Sequence, residues 1–192
     1  MIQFTPPPEP SYFDQKVRQP GETWLEQNPT ASRPKDYWSL CKSDLADGFN
    51  DLCAYSAMYE PVGTVDHYIS WNEDPTQAYQ WSNFRFASGW INSSKNNLRV
   101  SDMLDPFEVG DDWFELQLPS LQLILSQTIP PHIRDKALFV LGRLHLRDDE
   151  RIMRQRYEWY RCYLDGEITL DGLEKKAPLI ARAIRKQQAQ KA

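Results

Sequence analysis

Between Thr64 and Asn97 the sequence changes its hydrophobic period, and the order in which it does so limits what this stretch can become. Thr64-Val65-Asp66-His67-Tyr68-Ile69 is β-branched and aromatic, the composition of a strand. A polar loop covers Asn72 to Gln77, and Trp81 to Phe86 reads as a second short strand. Gly89 breaks that strand before a helix predicted to start near Trp90 and to carry Asn92 to Asn97. Strand, loop, strand, helix is therefore the order of elements from Val65 to Asn96.

The flanks are mostly helical. Pro6, Pro7, Pro8 and Pro10 forbid helix and predict an extended surface arm, followed by a short helix from Ser11 to Gln27 that breaks at Pro20-Gly21. Pro29 and Pro34 enclose a loop. Tyr37, Trp38, Leu40, Cys41, Leu45, Phe49 and Leu52 recur at three- and four-residue steps and predict one amphipathic helix between Lys35 and Cys53. Trp113 to Leu125 alternates in part and predicts two strands hinged at Pro119. Two or three helices complete the chain, over Pro130 to Leu144, Arg147 to Leu164, and Leu170 to Gln188, the last bent near Pro178. The predicted class is α+β, a ββα unit embedded in a mainly helical protein with an extra β-hairpin. Its segments are an arm and short helix (1–34), a central unit (35–128) and a C-terminal helical region (129–192).

With 41% hydrophobic, 12% aromatic and 26% charged residues, the chain lies in the globular range rather than the disordered one. No apolar run approaches the roughly 20 residues needed to span a bilayer, and the N-terminus lacks a charged region ahead of an apolar one, so a cytoplasmic protein without membrane contact is expected. Cys41, Cys53 and Cys162 are odd in number and far apart, as reduced thiols are. A net charge of -5 is adverse for a phosphate-binding protein. Its distribution softens the objection: residues 143 to 192 hold 12 of the 22 Lys+Arg and 8 of the 27 Asp+Glu, so this tail is +4 and the remainder -9. The tail is the better candidate for an electrostatic footprint, and its solvated helix faces are the bland alternative.

The polar residues of the ββα stretch fall at informative points. Asp66 and His67 are adjacent and on a strand point to opposite sides, so one can face a metal while the other faces water. If Asn92 lies in the first turns of the helix, its amide oxygen can join the Asp66 carboxylate around one hard cation, with water and phosphate completing the shell.

This stretch resembles the HNH (ββα-metal) endonuclease motif, which runs Asp-His, then Asn, then His or Asn. The elements here are Asp66-His67 in Gly-Thr-Val-Asp-His-Tyr, Asn83 in Trp-Ser-Asn-Phe-Arg-Phe-Ala, and Asn92 in Trp-Ile-Asn-Ser-Ser-Lys. The resemblance implies that His67 is the general base, that Asp66 and Asn92 hold Mg²⁺ or Mn²⁺, and that Asn83 orients His67 by a hydrogen bond. Asn96, Lys95 and Arg85 are weaker candidates for metal or phosphate contact. Cys53-Ala-Tyr, Ala78-Tyr-Gln-Trp-Ser-Asn and the helical C-terminus are also similar to the HNH proteins found beside an ATPase in retron- and Septu-type anti-phage systems. That wider likeness implies an anti-phage setting and an ATPase partner subunit, and the substrate expected is nucleic acid, DNA rather than RNA. One departure stands out. Where relatives carry two Cys-x-x-Cys pairs around a structural zinc, this chain has Cys53, Ser56, Ser88 and Ile91, so a tetrahedral zinc site is not available. The competing reading is a catalytically silent interaction subunit.

Overall fold

A computed structural model describes residues 1–191. The two strands at the centre of the sequence pair antiparallel as β1 (Thr64–His67) and β2 (Phe84–Ala87), with Asp66 opposite Arg85 and His67 opposite Phe84. Helix α3 (Gly89–Lys95) follows within two residues and packs on β1. The second strand is shorter than its apolar run because Trp81–Asn83 coils into a 3-10 turn, which frees Asn83 to bond across the loop rather than along the sheet.

Before this unit, a π-helical turn (Asp14–Arg18) leads into α1 (Gln19–Gln27). The predicted break at Pro20-Gly21 does not occur. Pro20 stands in the first turn of α1, where no N–H is required, and the wider turn ahead of it accommodates the ring. Gly21 is needed for a different reason, since a Cβ there would sit 2.3 Å from the Tyr79 ring packed against it. The helix predicted from Lys35 contracts to a 3-10 turn (Trp38–Cys41) and α2 (Lys42–Gly48). Asp36 accepts from Ser39 N and Oγ and sets the start, and Asn50 and Asp51 at positive φ turn the chain away beyond Phe49.

A second antiparallel hairpin, β3 (Phe114–Gln117) and β4 (Gln122–Leu125), is followed by α4 (Pro131–Arg143) and α5 (Glu150–Leu164). The last predicted helix is two, α6 (Leu170–Lys176) and α7 (Pro178–Lys191). Ala177 between them lies at φ -152° and ψ 66°, because a residue preceding proline is driven out of the helical region. The described residues thus form an α+β fold of seven α-helices and two small antiparallel hairpins.

The proline-rich arm runs at the surface through Pro6 and Pro8, but its first residues are anchored inside. Met1, Ile2 and Phe4 are buried in the same core as Phe49, Phe86, Leu123, Leu141 and Ile180, so apolar residues from all three predicted segments share one interior. Phe4 N donates to Pro106 O, Trp81 Nε1 donates to Pro7 O, and the Phe4 and Phe49 rings lie 4.9 Å apart. Each fully buried aromatic contributes roughly 2–3 kcal/mol, enough to offset the cost of ordering an arm that prolines have already stiffened. No helix among the described residues is long and apolar enough to cross a membrane.

Candidate functional site

Asp66 leaves β1 toward the interior, 2% exposed, and both carboxylate oxygens are engaged. Oδ2 accepts from the Tyr55 hydroxyl, whose pKa burial and the Asp66 charge push well above its usual value, so it remains a donor. Oδ1 accepts from Lys95 Nζ at 3.0 Å, and the same ammonium donates to His67 O at 2.6 Å. At an effective dielectric of about 20 the Asp66–Lys95 attraction is about 5 kcal/mol. Desolvation costs several kcal/mol per ion, so the intact pair adds little net stability. Removing one partner strands the other and costs far more. Lys95 reaches this position because it lies three residues beyond Asn92 on α3, hence on the same helix face.

His67 is 5% exposed and its ring is boxed by aromatic edges and faces: Trp38 at 4.6 Å, Trp71 at 5.0 Å and Phe84 at 5.1 Å between centroids. Nε2 lies 2.8 Å from Ala78 O and can only donate to it. Nδ1 then carries the lone pair. Every fully buried side-chain nitrogen and oxygen among the described residues has a hydrogen-bond partner, and Nδ1 has none in the protein, so it is not completely enclosed. Burial lowers the His67 pKa to about 4, which the Ala78 hydrogen bond and the Asp66 charge only partly counter. Burial therefore secures the neutral imidazole and weakens it as a base.

Asn83 does not bond to His67. Its Oδ1 accepts from Ile69 N at 2.7 Å, and its Nδ2 donates to Ile69 O and Gln77 O at 2.9 and 3.0 Å. It closes the loop between β1 and β2 at both ends and so holds Ala78, the residue whose carbonyl sets the His67 tautomer. Its influence on the imidazole is exerted through the backbone.

Asn92 is half-buried on α3, with Nδ2 turned to Val65 O at 3.4 Å and Oδ1 left free. Asn96 closes the helix at φ 49° and ψ -132° and is exposed at the rim. Two candidates for phosphate contact are excluded by burial. Lys95 is 1% exposed and committed to Asp66, and Arg85 is clamped by Asp105 (Nε–Oδ1 2.9 Å, Nη2–Oδ2 2.6 Å) with Nη1 on two backbone carbonyls.

A cavity of about 350 Å³ lies against these groups, and its lining includes Asp66, His67, Asn92 and Asn96 together with Trp38, Trp71 and Arg33. The donor set tests the implied cation. Asp66 retains lone pairs beyond those used by Tyr55 and Lys95, Asn92 Oδ1 is uncommitted, and both residues line the same cavity. That pair suits a hard cation completing its shell from water and phosphate, held weakly because Lys95 already neutralises the carboxylate. Among the described residues no group of three or more His, Cys, Asp and Glu could hold a metal ion. At the positions where the resemblance would put zinc ligands, Ser88 N donates to Cys53 Sγ at 3.3 Å, and Ile91 is fully buried.

No family model, characterised protein or solved structure matches the chain. The site therefore rests on its geometry. Sequence reasoning missed Tyr55, Trp38 and Arg33. Tyr55 sits beside the Cys53 position and Trp38 on a helical apolar face, where core is the ordinary reading. Nothing local in the Pro29–Pro34 loop marks Arg33.

Proposed function

We propose that the chain is a metal-dependent endonuclease of the HNH type that hydrolyses phosphodiester bonds in DNA. The observation that carries this reading is the convergence of Asp66, His67 and Asn92 on one cavity, from a strand and the helix that follows the hairpin. In the proposed reaction His67 Nδ1 takes a proton from water as the water oxygen bonds to phosphorus, and the phosphorus–oxygen bond to the leaving nucleoside breaks. Ala78 O holds the imidazole in the tautomer this requires, and Asn83 holds Ala78. Asp66 and Asn92 would hold the divalent ion, Mg²⁺ or Mn²⁺, which when bound supplies positive charge against that developing on the phosphate and the departing oxygen. An ATPase partner and a role in anti-phage defence follow from the resemblance alone and are part of the same proposal.

A second reading, a silent interaction subunit, is favoured by one contact. Lys95 Nζ on Asp66 Oδ1 puts a protein cation where the carboxylate would receive a metal. A nuclease assay with Mg²⁺ or Mn²⁺ on wild type and His67→Ala, repeated with the ATPase encoded beside the gene where there is one, separates the two. Cleavage lost in His67→Ala supports the enzyme. No cleavage of DNA or RNA in either preparation, with no divalent-ion binding by calorimetry, supports the silent subunit.

A further inference from the structure

We propose that Arg33 is the substrate-phosphate contact of this site, its guanidinium carried over the Trp71 indole at the cavity rim to grip the nucleic-acid backbone. The inference rests on the nuclease reading and adds a residue to it that the motif does not contain. Charge balance is the first argument. Lys95 neutralises Asp66, and Arg33 is the one other charged side chain lining the cavity among the described residues, so the site as a whole is positive by one unit. That matches a phosphodiester, which carries one negative charge.

Availability is the second argument. Of the cations nearest in sequence to the motif, Arg85 and Lys95 are sealed in buried ion pairs, and Arg99, exposed and without an ion pair, does not line the cavity. Six of the tail's cations, Arg151, Arg154, Arg161, Arg182, Arg185 and Lys186, are paired with carboxylates, and Arg156 is buried on the carbonyls of Leu121, Leu146 and Arg147. Arg33 is exposed and has neither an ion pair nor a hydrogen bond among the described residues.

Positioning is the third. The Arg33 guanidinium lies 5.8 Å from the Trp71 ring centroid, and Trp71 in turn stacks on Trp38 (5.8 Å, 16°) and meets the His67 ring edge-on at 5.0 Å. One indole thus spaces the cation from the base. The loop bearing Arg33 is tied down by Tyr79, whose hydroxyl donates to Lys35 O at 2.7 Å, and by Pro34, which is buried. A planar guanidinium on an aromatic face keeps its outer N–H groups free to bond two phosphate oxygens, which an ammonium cannot reproduce.

The test is binding of a labelled single-stranded DNA oligonucleotide to the full chain, by fluorescence anisotropy across a salt series. His67→Ala is present throughout so that the probe stays intact. Arg33→Ala is expected to weaken binding about ten- to a hundredfold and to reduce the slope of log K against log salt by about 0.7. Arg33→Lys retains the slope and recovers part of the affinity. Arg154→Ala, an exposed cation of α5 that does not line the cavity, changes neither, and thermal unfolding of Arg33→Ala matches the parent because the side chain is exposed. An unchanged affinity and slope in Arg33→Ala overturns this assignment and leaves the nuclease reading standing. A parent that binds no oligonucleotide at low salt, together with a wild type that cleaves none, removes both.

Discussion

The ββα unit and the C-terminal helices use charge in opposite ways. In the first, few ionic groups are present and the decisive ones are sealed: Asp66, Lys95 and Arg85 are each at most 2% exposed and each satisfied by a specific partner. In the second, charges are plentiful and exposed, and they cancel locally, as Arg154 does with Glu150 and Arg161 with Glu158 and Asp165. A tail that counts as +4 thus spends half of its twelve cations on exposed carboxylate pairs, whereas a nearly neutral motif contains the contacts whose loss is most costly. Counting charges along a chain measures neither burial nor pairing, and those two properties decide what a charge does.

The comparison is broken most directly at His67. His67→Ala is expected to lower the rate of DNA cleavage with Mn²⁺ about 10²- to 10⁴-fold, read as initial rates on a plasmid. A variant cutting as fast as wild type would remove the imidazole from the chemistry. The next largest effect is on stability. Lys95→Met leaves the Asp66 carboxylate buried with Tyr55 alone and is expected to cost about 3–5 kcal/mol in urea unfolding. Mn²⁺ should restore more stability to this variant than to wild type, since the carboxylate is then free to take the ion. A loss no larger than that of an exposed pair would place the motif and the tail on the same footing.

Acid sharpens the contrast further. The His67 pKa is lowered from its ordinary value to about 4 by burial, so between pH 6.5 and 4 the unfolded chain binds a proton that the folded chain does not. Stability in that window rises with pH and is lost on acidification, by on the order of 3 kcal/mol in the metal-free protein. Denaturant titrations at pH 7, 5 and 4 check this, and the pH dependence should shrink in His67→Gln. Smallest of all is the tail: Arg154→Ala should leave the unfolding midpoint within about 2 °C of wild type. A larger shift would mean that the exposed pairs of α5 act as a network rather than singly.

Much of the fold was legible because its signals are local. The strands around Asp66 and Phe84, the hairpin around Pro119 and the helices after Pro131 and Glu150 follow from period, turn residues and caps within a few positions of each element. The misreadings have equally local causes that periodicity does not register. Ala177 is forced out of the helix by Pro178, Asn50 and Asp51 turn left-handed beyond α2, and the π-helical turn lets Pro20 pass. The anchoring of the arm was not legible because proline content reports backbone stiffness and says nothing of what Ile2 and Phe4 pack against.

For the site the division is sharper. Alone, the order of residues determined that a carboxylate, an imidazole and an amide would sit on a strand and on the helix after its hairpin, because neighbours in sequence set backbone conformation and conformation sets spacing. Only the tertiary structure decided who bonds to whom. Lys95 finds Asp66 across 29 positions, Asn83 closes a loop instead of touching His67, and Arg33 arrives from a segment with no motif at all. Those pairings depend on which surfaces close together once water is excluded, and that is a property of the packed whole rather than of any stretch of chain.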